Sequence, residues 1–245
     1  MSQVASATLF LSDLHLTPER PGPAESFRRF LDQKAIHAEA LYLLGDLFEA
    51  WVGDDDLALP FHTEIAADLK RVSKSGVPVY FLPGNRDFLV GPDLARAAGL
   101  ILLEDPTLID LYGTATLLAH GDAWCTDDAH YQALRAQIRE PAWRADFLDK
   151  PLAERHAIAS ALRERSELAK AGKRPEIMDV NPEAIAAAFR RHGVSRIIHG
   201  HTHRPARHSH NIDGHPRERW VLPDWYDLSG GYLACDDTGC HAEAW

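Results

Sequence analysis

Thr8-Leu9-Phe10-Leu11-Ser12-Asp13-Leu14-His15 is the stretch from which the fold can be read. Residues 8–12 make a short, mostly apolar run of strand length that stops at a carboxylate and an imidazole two positions apart. The run predicts a buried strand, and the polar pair predicts a ligand held just beyond its end. The arrangement recurs downstream. Residues 25–37 predict a helix with Phe27, Phe30 and Leu31 on one face, and residues 40–44 predict a second strand that ends at Gly45-Asp46. Phe61, Ile65, Leu69 and Val72 recur at spacings of three and four, which predicts a second amphipathic helix. Residues 77–82 predict a third strand, closed by Pro83-Gly84 before Asn85. This β-α-β-α-β order predicts an α/β protein with a largely parallel sheet and helices on its faces. In such sheets ligands collect beyond the carboxyl ends of the strands, which is where Asp13, Asp46 and Asn85 stand.

Further strands are predicted at residues 100–103, 107–111, 114–119 and 195–199, with His120 and Gly200-His201-Thr202-His203 following the last two. From Pro205 onward the chain alternates and is rich in turn residues, predicting antiparallel hairpins. Between His120 and His201 the numbering advances by 81 (201 − 120), more than one crossover needs. Tyr131, Leu134 and Ile138 form one helical stripe in this insert and Ile158 and Leu162 another; Trp143, Phe147 and Leu148 add a bulky apolar group. The expected organisation is a core of residues 1–122 and 181–245 with a helical cap, residues 123–180, inserted between two ligand-bearing loops.

With 245 residues, 45% hydrophobic and 25% charged, the chain can bury one large core, or one core and a small subdomain. No run approaches the roughly 18 apolar residues of a membrane span, and the first sixteen residues lack a basic leader, so neither a span nor a signal peptide is expected. The net charge of −10 argues against a general nucleic-acid binder. Residues 123–180 hold ten Lys/Arg and ten Asp/Glu, so the rest of the chain carries the whole excess, and the cap's cations are available to an anionic ligand or a membrane surface. Cys125, Cys235 and Cys240 read as three reduced packing cysteines of a cytoplasmic protein.

Asp13, His15, Asp46, Asn85, His120, His201 and His203 are seven hard or borderline ligands on five turns, enough for two adjacent divalent ions. Oxygen ligands mixed with imidazole, without paired cysteines, point to Mn²⁺ or a similar ion. Two such ions clamp the attacking and departing oxygens of a displacement at phosphorus and acidify bound water. A carboxylate has two oxygens with which to bridge them, and Asp46 is assigned that role.

At these motifs the sequence resembles the calcineurin-like metallophosphoesterase superfamily over nearly its full length, which implies a four-layer α/β/β/α sandwich. Gly84-Asn85-Arg86-Asp87-Phe88 carries Arg86 where most of the superfamily has histidine. With residues 47–51, 53–56, 120–122, 125–128 and 177–181, it resembles the UDP-2,3-diacylglucosamine hydrolases of the LpxH type. Such enzymes serve lipid A biosynthesis, and the resemblance implies attack of a metal-bound hydroxide on the α-phosphorus of UDP-2,3-diacylglucosamine, giving UMP and 2,3-diacylglucosamine 1-phosphate. It implies one Mn²⁺ on Asp13, His15, Asp46 and His203 and another on Asp46, Asn85, His120 and His201. Asp46, Asn85, Arg86 and His120 are the implied catalytic residues, and Asn85, Arg86, Asp128, Ser166, Lys170, Lys173 and His201 the implied substrate contacts. Lys170 departs from the smaller polar residue usual in the family. Peripheral contact with the cytoplasmic face of the inner membrane is expected, with no nucleic acid and no obligate protein partner.

Other readings stay open. Arg86 is too basic for a general acid near neutral pH and suits phosphate oxygens, but a salt bridge to Asp87 or a neighbour also accounts for it. Asp128 stands where the Tyr131 helix needs an N-cap. The cap's apolar stripes either pack the cap or line an acyl groove. His199, His208 and His210 read as core or supporting residues. The competing functions are another dinuclear phosphodiesterase or phosphatase, and a non-catalytic module on the same scaffold.

Overall fold

A computed structural model of the chain describes residues 7–171 and 175–245. Its strands are β1 (Thr8–Leu11), β2 (Ala40–Leu43), β3 (Val79–Phe81), β4 (Leu100–Leu102), β5 (Thr107–Leu111), β6 (Thr114–Ala119), β7 (Arg196–His199), β8 (Ala206–Ile212), β9 (His215–Val221), β10 (Gly231–Asp236) and β11 (Gly239–Ala244). The α-helices are α1 (Pro21–Gln33), α2 (Pro60–Lys74), α3 (Pro92–Ala98), α4 (Ala129–Arg139), α5 (Pro141–Leu148), α6 (Leu152–Ala171) and α7 (Pro182–His192). Proline begins α1, α2, α3, α5 and α7, where its missing N–H costs nothing. Asp128 and Asn181 cap α4 and α7 by accepting first-turn amides.

Two mixed sheets stack face to face. The first has strand order β11-β10-β1-β2-β3-β4 and the second β5-β6-β7-β9-β8. The expected parallel unit β1-β2-β3-β4 is present, extended by β10 pairing antiparallel to β1. Alternation along each central strand makes the layers. Leu9 and Leu11 of β1 join Leu41, Leu43, Val79 and Phe81 beneath α1, α2 and α3. Phe10 points the other way, into the seam between sheets with Leu118, Ile198, Trp220 and Leu233. On the second sheet Leu117 and Ile197 turn outward onto Ile185 and Phe189 of α7. The order is helix, sheet, sheet, helix, as the resemblance implies.

The tail forms the expected hairpins, and they correct the reading of the cysteines. β10 and β11 pair in a register that sets Cys235 opposite Cys240, and the two form a disulfide; Cys125 is free and buried. Two cysteines five apart look scattered until a tight hairpin makes them neighbours.

Helices α4 to α6 lie between His120 and α7, within residues 123–180. Phe147 is buried in the core beneath the first sheet, with Trp143 and Ile158 packed against it, while Leu148 is exposed. The apolar residues of the insert therefore fasten α5 and α6 to the sandwich as well as to each other.

Candidate active site

Every turn bearing a candidate ligand stands at the carboxyl end of a strand: Asp13 and His15 after β1, Asp46 after β2, Asn85 after β3, His120 after β6, His201 and His203 after β7. Backbone bonds tie these turns together, Asp13 N to Gly45 O at 3.1 Å, His15 N to Asp46 O at 2.9 Å and Gly200 N to His120 O at 2.9 Å. Among the described residues, eight non-glycine positions have a left-handed backbone, and five of them are Asp13, His15, Asp46, His201 and His203, with φ from 49° to 69°. Each such residue costs on the order of 1–3 kcal/mol unless its surroundings enforce it. Their concentration here turns five side chains toward one point.

Asp13 Oδ1 lies 3.3 Å from His203 Nε2 and 3.9 Å from His15 Nε2, and the two imidazole nitrogens are 3.3 Å apart. Asp13, Asp46 and His120 form a second group whose donor atoms all lie within 4.8 Å of one another, as do those of Asp13, His15 and His203. Asp46 faces both ways: Oδ2 is 4.0 Å from His15 Nε2, and Oδ1 is 3.6 Å from His120 Nε2. Asn85 Oδ1 is 2.9 Å from His120 Nε2. The His201 ring sits 5.0 Å from that of His120, centroid to centroid, and its backbone N–H donates to Asp13 Oδ2 at 2.8 Å. His201 thus lies beside the two carboxylate–imidazole groups without joining either.

The donors fit divalent cations. Asp13 Oδ1 is buried and accepts no hydrogen bond, although two imidazole nitrogens stand within 4 Å of it. His120 Nδ1 donates to Leu44 O at 2.9 Å, so its Nε2 is the nitrogen turned into the site. Burial carries Asp46 up to about 7 against the opposing charge of His120, with Asp87 and Asp13 adding to the rise. Burial opposes charge on His120, but Asp46, Asp13 and Asp122 outweigh it and lift its pKa to about 9. His203 is likewise raised, to about 10, as Asp13 and Asp224 overcome its burial. Burial instead depresses His15 and His201 to about 3, leaving both as neutral donors. Burial would raise Asp13, yet the imidazoles of His203, His120 and His15 hold it well below the carboxylate range. Such a site carries protons that a bound cation displaces.

The remaining expected residues separate. Arg86 Nη1 is 3.6 Å from Glu49 Oε1, while its backbone N–H donates to Asp46 Oδ1 at 2.8 Å. Asp128 acts as the N-cap of α4, accepting from Tyr131 N at 3.1 Å. Ser166 is on α6 and half-buried. Lys173 and the side chain of Lys170 lie outside the described residues. His199 is buried, accepting from Arg219 Nη1 at 2.9 Å and donating to Gly200 O, a core role as expected.

Several supporting groups escaped the sequence. Asp87 is buried and accepts from the amides of Gly84, Asp46 and Leu47 at 2.8, 3.2 and 2.7 Å, clamping two ligand turns together. Asp224 Oδ2 meets His203 Nδ1 at 3.2 Å and so orients its other nitrogen. Asp122, two residues past His120, takes Tyr131 Oη and Arg135 Nε at 2.7 Å each and Arg139 Nη2 at 3.4 Å. Tyr131 also stacks on the His201 ring at 5.8 Å, so α4 braces the site directly. Asp122 and Asp87 had local signals, in His120-Gly121-Asp122 and Gly84-Asn85-Arg86-Asp87, but neither sequence shows what they hold.

Calcineurin-like phosphoesterases match residues 7–205. A protein of Aromatoleum aromaticum named UDP-2,3-diacylglucosamine hydrolase is 50% identical over 95% of this chain and 94% of its own. Proteins of the same name from Stenotrophomonas maltophilia and Klebsiella pneumoniae are 53% and 51% identical, over 95% and 90% of this chain and 96% and 91% of theirs. The stretch matched by the family takes in β1 to β7 and all seven candidate ligand positions, and the chain belongs to the calcineurin-like phosphoesterase family, in the branch whose members bear that name.

Proposed function

We propose that the chain hydrolyses the pyrophosphate bond of UDP-2,3-diacylglucosamine, yielding UMP and 2,3-diacylglucosamine 1-phosphate in lipid A biosynthesis. The observation that carries this reading is half-identity, across nearly the whole of both chains, to relatives that share one name. The site supports it with two adjoining groups of candidate metal ligands that share Asp13. Asp13, His15 and His203 would hold one Mn²⁺, Asn85, His120 and His201 the other, and Asp46, whose oxygens face opposite histidines, would bridge them. Two divalent ions supply a water of lowered pKa and a clamp for the oxygens of an in-line displacement.

The chain's own groups do the rest. Leu44 O fixes the His120 tautomer and Asp224 that of His203. Arg86 offers a permanent charge to the departing sugar phosphate, a weak base that needs neutralising more than it needs a proton. The insert, residues 123–180, would act as a cap over the site, with Leu148 and Leu168 exposed on α5 and α6 as apolar surface for a two-chain lipid. No helix among the described residues is long and apolar enough to cross a membrane; contact with the cytoplasmic face of the inner membrane would be peripheral.

The test is phosphorus NMR of purified enzyme with Mn²⁺ and the diacylated UDP-sugar in water enriched in heavy oxygen. Label in UMP supports attack at the α-phosphorus. Label in the sugar phosphate, or no cleavage of this substrate, refutes the reading. Asp46→Ala is expected to abolish turnover with the fold intact.

A further inference from the structure

Three guanidinium groups from three separate segments converge on the carboxylate of Glu49, beside the metal-type ligand His15. Arg20 Nη2, from the β1–α1 turn, is 3.2 Å from Glu49 Oε2; Arg163 Nη1, from α6, is 3.2 Å from Oε1; Arg86 Nη1 is 3.6 Å from Oε1. Glu49 Oε2 is also 3.6 Å from His15 Nδ1. Glu19, hydrogen-bonded to Thr17, also feels Arg163 and Arg20 through space. A carboxylate that merely satisfied one buried arginine would not need to gather three. Arg86 and Glu49 are mostly buried, but the Arg20 side chain is 42% exposed and so within reach of a ligand arriving from solvent. Arg20 Nη2 also lies 3.4 Å from His15 O, which anchors it to the turn carrying a predicted metal ligand.

We propose that Arg20 is a further substrate-binding residue that contacts the phosphate oxygens of a pyrophosphate ester, and that Glu49 is the positioning residue that gathers it with Arg86 and Arg163. The inference rests on the pyrophosphatase reading of the site and adds to it a contact from the β1–α1 turn. A pyrophosphate diester carries two negative charges and presents its oxygens to more than one guanidinium group at once. Guanidinium forks bind such oxygens in pairs, with directionality that an ammonium lacks. Glu49 keeps the three like charges together while the site is empty of anion, so the arginines are pre-arranged and less ordering is left for binding.

The test is calorimetric titration of the Mn²⁺-loaded protein with inorganic pyrophosphate, a probe without acyl chains or nucleotide, for the parent, Arg20→Ala and Arg20→Lys. Loss of one charge-assisted contact is expected to raise Kd roughly tenfold in Arg20→Ala, with Arg20→Lys recovering part of the loss. Glu49→Gln separates positioning from charge. Removing a negative charge should by itself tighten anion binding, whereas loss of the gathering carboxylate should weaken it, and weakening is expected. A Kd unchanged in Arg20→Ala overturns the proposal, as does tighter binding in Glu49→Gln. Hydrolysis of the diacylated UDP-sugar is measured alongside. Its absence in the parent would defeat the functional reading, while the titration would still decide the role of Arg20.

Discussion

Adding one methyl group at Gly84 should dismantle the site while sparing the fold. A Cβ there would stand 2.5 Å from the Asp46 backbone nitrogen and 3.0 Å from its Cγ, and would overlap Oδ1. The φ of Gly84 lies outside the left-handed region, so alanine meets no backbone penalty and the cost of Gly84→Ala is steric. Neither neighbour is a flexible chain end. Asp46 is buried, its Oδ1 accepts from Arg86 N, and its N–H is held by Asp87. Overpacking of this kind costs about 1–3 kcal/mol. At roughly 2–4 °C per kcal/mol for a chain of this size, the metal-free Tm should fall by about 2–12 °C.

The larger consequence is chemical, because Asp46 is the carboxylate whose oxygens face both halves of the site. Displacing it should weaken metal binding at least as much as losing a partner that orients a ligand, about 10–100-fold. At a metal concentration of 100 Kd for the parent, stabilisation by the ion is about 2.7 kcal/mol, and it should drop to about 1.4 or 0.4 kcal/mol in the variant. Misplacing a reacting group by an ångström adds a loss in turnover on the order of a hundredfold. Thermal melts with and without Mn²⁺, paired with the hydrolysis assay, read all three effects. A variant that kept the parent's metal-dependent rise in Tm and turned over within threefold of it would refute the close contact between these turns.

Asp224→Asn should lower Mn²⁺ affinity about 10–100-fold by releasing His203 Nδ1, with metal-free Tm near that of the parent; equal affinities by calorimetry would dismiss its orienting role. Asp122→Asn removes the buried partner of Arg135, Arg139 and Tyr131; both arginines keep some water, so the expected loss is about 3 kcal/mol, at the low end for a broken buried pair, read as a lower urea midpoint with unchanged m. His199 is lowered to about 3 by burial and by Arg219, below its ordinary 6.5. The unfolded chain therefore takes up that proton first as pH falls, and the stability held above pH 6.5 is lost at up to about 1.4 kcal/mol per pH unit down to pH 3. His199→Asn should flatten that part of the stability profile, and parallel profiles for the two proteins would contradict the assignment.

What the sequence conveyed and what it withheld divide along a physical line. Asp13, Asp46 and Asn85 were legible because each follows an apolar run of strand length, and a parallel sheet sends all such ends to one edge; His120 follows a similar run in the second sheet. Asp128 was legible twice over, and the geometry realises its local role, since an N-cap needs only the next three residues. Asp87 was misleading for the opposite reason: beside Arg86 it suggests a salt bridge, but its oxygens are taken by amides of two turns some forty positions apart in sequence. The disulfide follows from the β10–β11 register, whereas Asp224 is placed by a longer-range pairing. β10 pairs antiparallel to β1, and this brings Trp225 N within 3.0 Å of Asp13 O and Asp224 against His203. Alternation in the tail announces strands but not the sheet they join. Arg20 is concealed more deeply, since a cation in a proline-rich turn reads as solvated surface until Glu49 is seen drawing it, with Arg163 from the distant α6, beside His15. Local patterns therefore specify which atoms can bind a metal, whereas the groups that orient those atoms are set by sheet order, and a test of that order is a test of the site: loosening the β1–β10 pairing should cost metal affinity before it costs the fold.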